Sequence, residues 1–283
     1  MSEIATPDYS EDLKGRILSY YRKMYGAVGL ADFEERSISR LKEEEADLRR
    51  CRRLERALSL SMGDYEHHLI VGTGTGGLVV ALKQMGVKDV FGCEPNAEAL
   101  AICAEKAGLA SVNPDNMKNA VAEQLPFDDS SMDMIHCYTV LEHVQQVEQA
   151  IREMFRVLKP GGIIYIQTPD YRNFFEGHYK MVLPLFLGKT VSKWSLRLSG
   201  RPTVFLESIQ FIDEKSINKI LRKNVDLYFR LYERMPTAWE RRGQGLRGRL
   251  GNWLRRFFYL SLSFPIHQEI IIKKNPVMVD EKS

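Results

Sequence analysis

A glycine-rich turn is the first feature of the sequence that could do chemistry. Residues 72–77 are Gly-Thr-Gly-Thr-Gly-Gly, directly after a short apolar run at 68–71 and before a helical pattern at 78–85. Glycine at a turn between a strand and a helix lets a ligand approach the backbone closely, because no side chain blocks it. The turn therefore predicts a ligand site at the end of a strand.

A carboxylate follows at the spacing expected of a ribose-binding residue. Glu94 ends the second apolar run, 22 residues after Gly72, where a carboxylate can accept hydrogen bonds from both hydroxyls of an adenosine ribose. The turn matches the dinucleotide pattern G-x-G-x-x-G through Gly72, Gly74 and Gly77. It matches equally the G-x-G-x-G pattern of S-adenosyl-L-methionine (SAM) sites through Gly76. These residues leave both cofactors open.

Short apolar runs alternate with helical patterns from residue 67 onward, which is typical of a parallel sheet covered by helices on both faces. We therefore predict a doubly wound α/β fold with a seven-stranded sheet. The predicted strands are 68–71, 90–93, 118–122, 134–138, 163–167, 226–232 and 269–273. The predicted helices between them are 78–85, 97–106, 144–158 and 214–223.

The residues before the sheet have helical patterns, at 13–25 and from Asp32 to about Leu60. We interpret residues 1–62 as a helical lid, although a solvated helix packed on one side has the same pattern. The predicted domain covers residues 63–274, and 275–283 form a flexible tail.

Composition narrows the class of protein. Of 283 residues, 44% are hydrophobic and 27% are charged, which is average for a folded globular chain. The four cysteines (Cys51, Cys93, Cys103 and Cys137) show no C-x-x-C spacing, so we predict buried thiols in a reducing cytoplasm. No apolar run reaches the roughly 20 residues of a membrane-spanning helix, and the acidic N-terminus does not look like a secretory signal.

Four segments in order carry a resemblance to a known family: GTGTGG, GCEPN, AEQLPFDDSSMDMIHCYTVLEHV and REMFRVLKPGGIIYIQTPD. In order and spacing they resemble the class I SAM-dependent methyltransferases of the broad type 11 group, over about residues 60–170. The resemblance implies a Rossmann-like sheet whose last strand is antiparallel, SAM as cofactor, and methyl transfer. A nicotinamide-dependent oxidoreductase and a catalytically inactive SAM-fold adaptor at a membrane or partner surface are the alternatives.

The resemblance also implies a cofactor site, residue by residue. In the implied site the methionine moiety contacts Gly72, Thr73, Gly74 and Gly76. The ribose contacts Glu94 and Pro95, the adenine contacts Ala122 and Glu123, and the sulfonium end contacts Tyr138 and Thr139. Two positions depart from the family. Ile70 and Val121 stand where an acidic residue is frequent, so one anchor for the amino group and one acceptor for the adenine amine are missing.

Two histidines are candidates for the base that acts on the acceptor, and we expect only one of them, with His178 favoured, to have this role. The alternatives are a cap of the next helix for His143 and a polar surface loop for His178. His143 follows the fourth strand and His178 follows the fifth, and neutral histidine has a pKa suited to removing a hydroxyl proton. Some quinone-precursor and RNA methyltransferases of this type bind a divalent metal through a Glu-His pair and further ligands. Here Glu142 and His143 form the pair, but Thr139 and Val147 stand at the additional positions, so no metal is predicted.

Two insertions are predicted at the rim, 171–210 and 236–267, because they are longer than ordinary connections at carboxyl strand ends. Residues 181–283 carry 19 basic and 9 acidic side chains, with an arginine-flanked apolar pattern at 246–261. Basic charge beside apolar surface suits an acceptor that is a small molecule, a glycan, a lipid-linked sugar or an isoprenoid-type molecule. We predict O-methylation of such an acceptor. Peripheral contact with an anionic membrane is an alternative, whereas a nucleic-acid acceptor is disfavoured because residues 136–139 lack the Pro-Pro-aromatic motif.

Overall fold

The computed structural model describes residues 7–171, 175–234 and 267–274. It confirms the α/β fold. A seven-stranded sheet has the strand order β3-β2-β1-β4-β5-β9-β8, and a separate two-stranded ribbon pairs β6 with β7. Strands β1 to β5 are mutually parallel where they pair, whereas β9 is antiparallel to both β5 and β8.

The strands are β1 His67–Val71, β2 Asp89–Cys93, β3 Met117–Lys118, β4 Met132–Tyr138, β5 Leu158–Pro169, β6 Phe175–Glu176, β7 Met181–Val182, β8 Phe229–Arg234 and β9 His267–Lys274. The α-helices are α1 Glu11–Ala27, α2 Phe33–Ser39, α3 Glu43–Leu58, α4 Gly77–Gln84, α5 Ala97–Leu109, α6 Val147–Val157, α7 Lys189–Leu198, α8 Val204–Ser208 and α9 Glu214–Tyr228.

The core lies on both faces of the sheet. Successive strand residues point to opposite faces, so Leu69 and Val71 pack in one apolar cluster with α6, whereas Ile70 packs in the other with α4. Both clusters are buried because helices cover each face, which explains why the central strands are apolar throughout rather than alternating. The four cysteines are buried free thiols, as predicted.

The third predicted strand, 118–122, is wrong beyond Lys118. After β3 the chain leaves the sheet, and the Asn119 side-chain amide donates to the backbone oxygens of Glu94 and Pro95 at 3.0 and 3.1 Å. Gln124 N then donates to Val121 O in a turn. These bonds hold residues 119–124 across the end of β2 instead of alongside it.

The predicted helix from Asp32 to Leu60 is three elements, not one. Helix α2 ends at Ser39, a 3₁₀ turn spans Arg40–Lys42, and α3 begins at Glu43. An acidic first turn (Glu43, Glu44 and Glu45) favours a new helix start through the helix dipole. The break lets Glu43 and Glu44 face α5, where both pair with Lys106.

Two further boundaries differ from the prediction. Residue 158 begins β5 rather than ending the preceding helix, and α6 starts at Val147 rather than 144. Residues 226–228, predicted as strand, complete α9, and β8 begins at Phe229, where pairing with Lys274 of β9 starts. The remaining predicted strands and helices coincide with observed elements to within a few residues.

The first predicted insertion folds into the β6–β7 ribbon, a 3₁₀ turn at Leu185–Leu187, α7 and α8. It has its own apolar contacts with the domain, since Tyr179, Leu196 and Leu206 are fully buried. Of the second insertion, His267 belongs to β9, and the rest, including the amphipathic pattern at 246–261, lies outside the described residues, as does the predicted tail. None of the described helices is long and apolar enough to cross a membrane.

A buried ion cluster attaches the N-terminal helices to the sheet domain. Lys106 of α5 is fully buried and pairs with Glu43 at 2.7 Å and with Glu44. Burial alone would lower the pKa of Lys106, but the two carboxylates overcome this and raise it. Burial would likewise raise the pKa of Glu43, and Lys106 reverses the effect and lowers it.

We predict that Lys106→Ala lowers the free energy of unfolding by about 3–5 kcal/mol, because it leaves two buried carboxylates without their cation. Urea denaturation of the full chain measures this. The control is Lys88→Ala, which removes the exposed Lys88–Glu66 pair and should leave the free energy of unfolding nearly unchanged, because water and salt screen an exposed pair. Equal effects of the two substitutions would show that the buried cluster does not hold the helices.

Candidate functional site

The glycine turn lies at the carboxyl end of β1 and has two distinct structural requirements. Gly72 has a φ of 76°, and a Cβ on it would overlap the side chain of Val140, which follows β4. Gly74 has a φ of 53°, and a Cβ on it would meet no atom within 4 Å. Gly72 is therefore required by packing, whereas Gly74 borders open space that a ligand can enter.

Glu94 lies directly beside this open space. Its Oε2 accepts a hydrogen bond from Gly74 N at 3.0 Å, and its Oε1 accepts from Asn96 N at 3.0 Å. A carboxylate has about four lone-pair positions, so two stay available for ligand hydroxyls. The backbone thus holds the carboxylate in place for a ribose.

The predicted adenine side contains Ala122 and Glu123, and the structure separates their roles. Ala122 is buried. The carboxylate of Glu123 accepts from Gln145 N at 2.8 Å and Gln146 N at 3.2 Å, at the start of α6. The Glu123 side chain therefore binds a helix end, which leaves its backbone for adenine. Val121, where the family often has an acid, is 46% exposed.

The two predicted residues at the end of β4, Tyr138 and Thr139, lie in different surroundings. The Tyr138 ring lies under Arg50 of α3, with 4.4 Å from the guanidinium carbon to the ring centre, and packs edge-on against Tyr165. Thr139 has a φ of 53°, which is uncommon for a β-branched residue and costs about 1–3 kcal/mol. Thr139 is exposed at the carboxyl edge of the sheet, whereas the ring of Tyr138 packs against Arg50 of α3.

The N-terminal helices reach the glycine turn. Thr75 Oγ1 donates to Glu43 at 2.5 Å, and Tyr21 of α1 donates to the same carboxylate at 2.8 Å. A Cβ on Gly77 would lie 2.7 Å from an oxygen of Asp47. Sequence analysis did not single out Tyr21, Glu43 or Asp47, because nothing in their helical spacing indicates which turn they meet.

The structure brings the two predicted histidines together. Their ring centres lie 5.2 Å apart, and the ring of Phe205 from α8 packs against both, at 5.7 Å from His143 and 4.6 Å from His178. Partial desolvation lowers the pKa of His143 to about 4, although its ring is accessible to solvent. His143 is therefore a neutral imidazole at physiological pH.

Glu142 completes this group, and its side chain is fully buried. Oε2 accepts from Thr168 Oγ1 at 3.1 Å, and Oε1 has no hydrogen-bond partner among the described residues. Burial raises the pKa of Glu142 to about 7. One donor atom from each of Glu142, His143 and His178 lies within 4.8 Å of the others. We call these three residues the acceptor-side cluster.

A buried carboxylate orients His178. Glu176 in β6 is 1% exposed, and its Oε1 lies 2.8 Å from His178 Nδ1. Its Oε2 accepts from Tyr179 N. The ribbon of the first insertion therefore holds the imidazole with Nδ1 toward Glu176 and leaves Nε2 for other partners.

Comparisons with known proteins agree on one family. Residues 69–166 match the family model described as a methyltransferase domain. A sterol 4-C-methyltransferase of Caenorhabditis elegans is 31% identical over 130 residues, which are 44% of this chain and 38% of that protein. A ubiquinone/menaquinone biosynthesis C-methyltransferase of Geotalea daltonii is 32% identical over 136 residues, 45% of this chain and 57% of that protein. The match thus spans about half, or less, of these relatives.

Solved structures share the fold. A SAM-dependent methyltransferase of Archaeoglobus fulgidus superposes with a TM-score of 0.54 at 15% identity, covering 82% of this chain and 94% of that one. A protein of Pyrococcus horikoshii gives 0.53 at 17% identity, covering 91% and 98%. Together with the open space at Gly74 and the carboxylate beside it, the family match selects SAM over a nicotinamide. Residues 69–166 therefore match a methyltransferase domain, and S-adenosyl-L-methionine is the cofactor that this match and the position of Glu94 support.

Proposed function

We propose that the chain transfers a methyl group from SAM to an oxygen of a small molecule with an apolar body, such as an isoprenoid-type or lipid-linked compound. The observation that carries the cofactor half is the pairing of Gly74 with Glu94: a glycine bordering open space, bonded at 3.0 Å to a carboxylate that keeps lone pairs free. The names of the sterol and quinone relatives support an apolar small-molecule acceptor.

In this proposal SAM lies along the carboxyl ends of β1, β2 and β4. Gly72, Thr73, Gly74 and Gly76 pass its methionine moiety, Glu94 and Pro95 flank its ribose, the backbone of Ala122 and Glu123 borders the adenine, and Thr139 faces the sulfonium. The amino group that Ile70 cannot bind meets Asp47 instead, since its carboxylate reaches the start of α4.

In this proposal the acceptor-side cluster acts on the acceptor oxygen. The acceptor oxygen attacks the methyl carbon in line, its bond to carbon forms as the carbon–sulfur bond breaks, and the electron pair stays on sulfur. The hydroxyl proton leaves to His178, whose Nδ1 lies at Glu176 and whose Nε2 is available. Much of the rate enhancement comes from holding the two reactants in line.

The Glu94 carboxylate allows a test of the cofactor site. Glu94→Ala should weaken binding of S-adenosylhomocysteine by roughly 1.5–3 kcal/mol, the value of hydrogen bonds to a charged group, as measured by calorimetry. Glu98→Ala, an exposed carboxylate on the adjoining helix, is the matched control and should bind like the wild type. A wild-type chain that binds NADH and ignores S-adenosylhomocysteine would refute the SAM site.

The His178 imidazole allows a test of the acceptor site. His178→Ala should lower turnover roughly 100-fold or more with S-adenosylhomocysteine affinity unchanged. Labelled methyl groups from SAM are followed into an organic phase, with a panel of sterols, quinone precursors and prenyl alcohols as acceptors. His67→Ala, at the amino end of β1 and so at the end of the strand away from the site, should keep wild-type turnover. Full turnover by His178→Ala would show that this histidine does not act on the acceptor, and no turnover by the wild type on any acceptor would favour an inactive adaptor.

We also propose that α7 contacts an anionic membrane, where apolar acceptors partition. Val191, Trp194 and Leu198 are exposed by 36, 62 and 68%. Their spacing of three and four residues places them along one side of the helix. Lys189, Lys193 and Arg197 accompany them, and basic residues beside exposed aromatic and aliphatic side chains suit the surface of anionic lipids.

Sedimentation with vesicles tests this contact. The wild type should sediment with anionic vesicles and less with neutral ones, and binding should fall with salt because screening shortens the reach of each charge to about 10 Å at 0.1 M. Trp194→Ser with Leu198→Ser should abolish sedimentation. Ile38→Ser, which removes an exposed apolar side chain from α2, should not. Sedimentation that is unaffected by the α7 substitutions would exclude this helix as the contact.

A further inference from the structure

The acceptor-side cluster has the chemistry of a cation site. One carboxylate and two imidazoles offer donor atoms within 4.8 Å of one another. In residues 7–171, 175–234 and 267–274 this is the one group of three histidine, cysteine or acidic side chains with that proximity. Two histidines and one carboxylate are a ligand set that divalent zinc or iron accepts in proteins.

An unpartnered buried atom points into this cluster. Glu142 is fully buried, and its Oε1 has no hydrogen-bond partner in the described part of the chain. An uncompensated carboxylate in a protein interior is unfavourable. A cation bound between Glu142 and the histidines would supply the missing partner.

The second observation is the orientation of His178. Metal-binding histidines commonly donate their other ring N–H to a carboxylate, which fixes the tautomer and directs the remaining nitrogen at the metal. Glu176, buried and 2.8 Å from Nδ1, has this relation to His178. Its other oxygen accepts from Tyr179 N, so Glu176 is itself held in position.

We propose that Glu142, His143 and His178 bind a divalent first-row transition cation. The ligands would be the Glu142 carboxylate, one nitrogen of His143, and Nε2 of His178. The cation's role rests on the proposed methyl transfer: three protein ligands leave coordination positions open for the acceptor oxygen, and a cation favours the deprotonated form of such an oxygen. With the cation bound, Nε2 of His178 is a ligand and no longer accepts the hydroxyl proton as it does in the metal-free reaction above, so that proton leaves to solvent.

Binding a cation requires the three ligand atoms to move slightly closer together. Bonds of about 2.1 Å at tetrahedral angles bring donor atoms to about 3.4 Å from each other. Donors now within 4.8 Å must therefore approach by no more than about 1.4 Å. His143 has the freedom to do so because its ring is exposed. Glu142 and His178 are the more firmly held ligands.

This ligand set explains why the sequence alone predicted no metal. The positions tested there were Thr139 and Val147, near the Glu-His pair along the chain. The third ligand instead comes from the first insertion, 35 residues after His143. The β6–β7 ribbon places it beside the pair.

Direct cation binding tests the proposal without an acceptor or SAM. The tag-free full chain is treated with chelator and titrated with Co²⁺, whose visible absorption reports its ligands, and then with Zn²⁺ as a competitor. We expect one Co²⁺ per chain, displaced by Zn²⁺. Glu142→Gln and His178→Asn should weaken Co²⁺ binding at least roughly 100-fold, and Glu176→Gln roughly 10- to 100-fold through loss of orientation.

His67→Ala is the matched control, because this histidine also lies near carboxylates, Asp89 and Asp133, but at the amino ends of the strands. It should bind Co²⁺ like the wild type. No Co²⁺ or Zn²⁺ binding by the wild type, or unchanged binding by Glu142→Gln or His178→Asn, would overturn the proposal.

S-adenosylhomocysteine binding, measured on every variant, verifies folding and separates the two proposals. His143→Asn is a further ligand variant if one of the others does not fold. Failure to bind cations with cofactor binding intact would remove the metal and leave methyl transfer standing. Cation binding by a wild type that does not bind S-adenosylhomocysteine would support the metal site and refute the proposed methyl transfer.

Discussion

The Glu43 carboxylate is the interaction on which the arrangement of the N-terminal half depends. It accepts hydrogen bonds from Tyr21 of α1 and Thr75 of the glycine turn, and it pairs with Lys106 of α5. Burying a carboxylate is costly unless a cation and hydrogen-bond donors compensate its charge. These three partners therefore have to come together, and in doing so they bring α1 and α3 against the turn that borders the cofactor space.

The contact between Gly72 and Val140 has a comparable effect on the other side of the turn. Because Gly72 has no side chain, the segment after β4 lies directly against the turn after β1. That segment carries Thr139 on one side of the contact and Glu142 with His143 on the other. A single close approach thus connects the proposed cofactor half of the crevice to the proposed acceptor half.

The first insertion completes the proposed acceptor half because its own side chains are buried in the core of the domain. Tyr179, Leu196 and Leu206 are buried without exposure, and Leu206 N donates to the Tyr179 hydroxyl. This packing places Glu176 and His178 of the β6–β7 ribbon, and Phe205 of α8, at the rim. The same segment exposes Trp194 and Leu198 outward, so one insertion presents a polar cluster to the crevice and an apolar stripe to solvent.

The sequence by itself determined the fold class and the central strands, because parallel strands buried on both faces are apolar throughout. The glycine turn and Glu94 left two cofactors open, and SAM was favoured only by the four ordered segments that resemble SAM-dependent methyltransferases. The sequence did not determine the break at Arg40–Lys42, the role of Glu123 at the start of α6, or the meeting of Glu142 and His143 with His178. Each of those depends on contacts between residues far apart along the chain, whose energies local periodicity does not record. Glu43 illustrates the reason: its sequence neighbours mark only a helix start, whereas its partners lie 22, 32 and 63 residues away, and only the packed domain brings them within bonding distance.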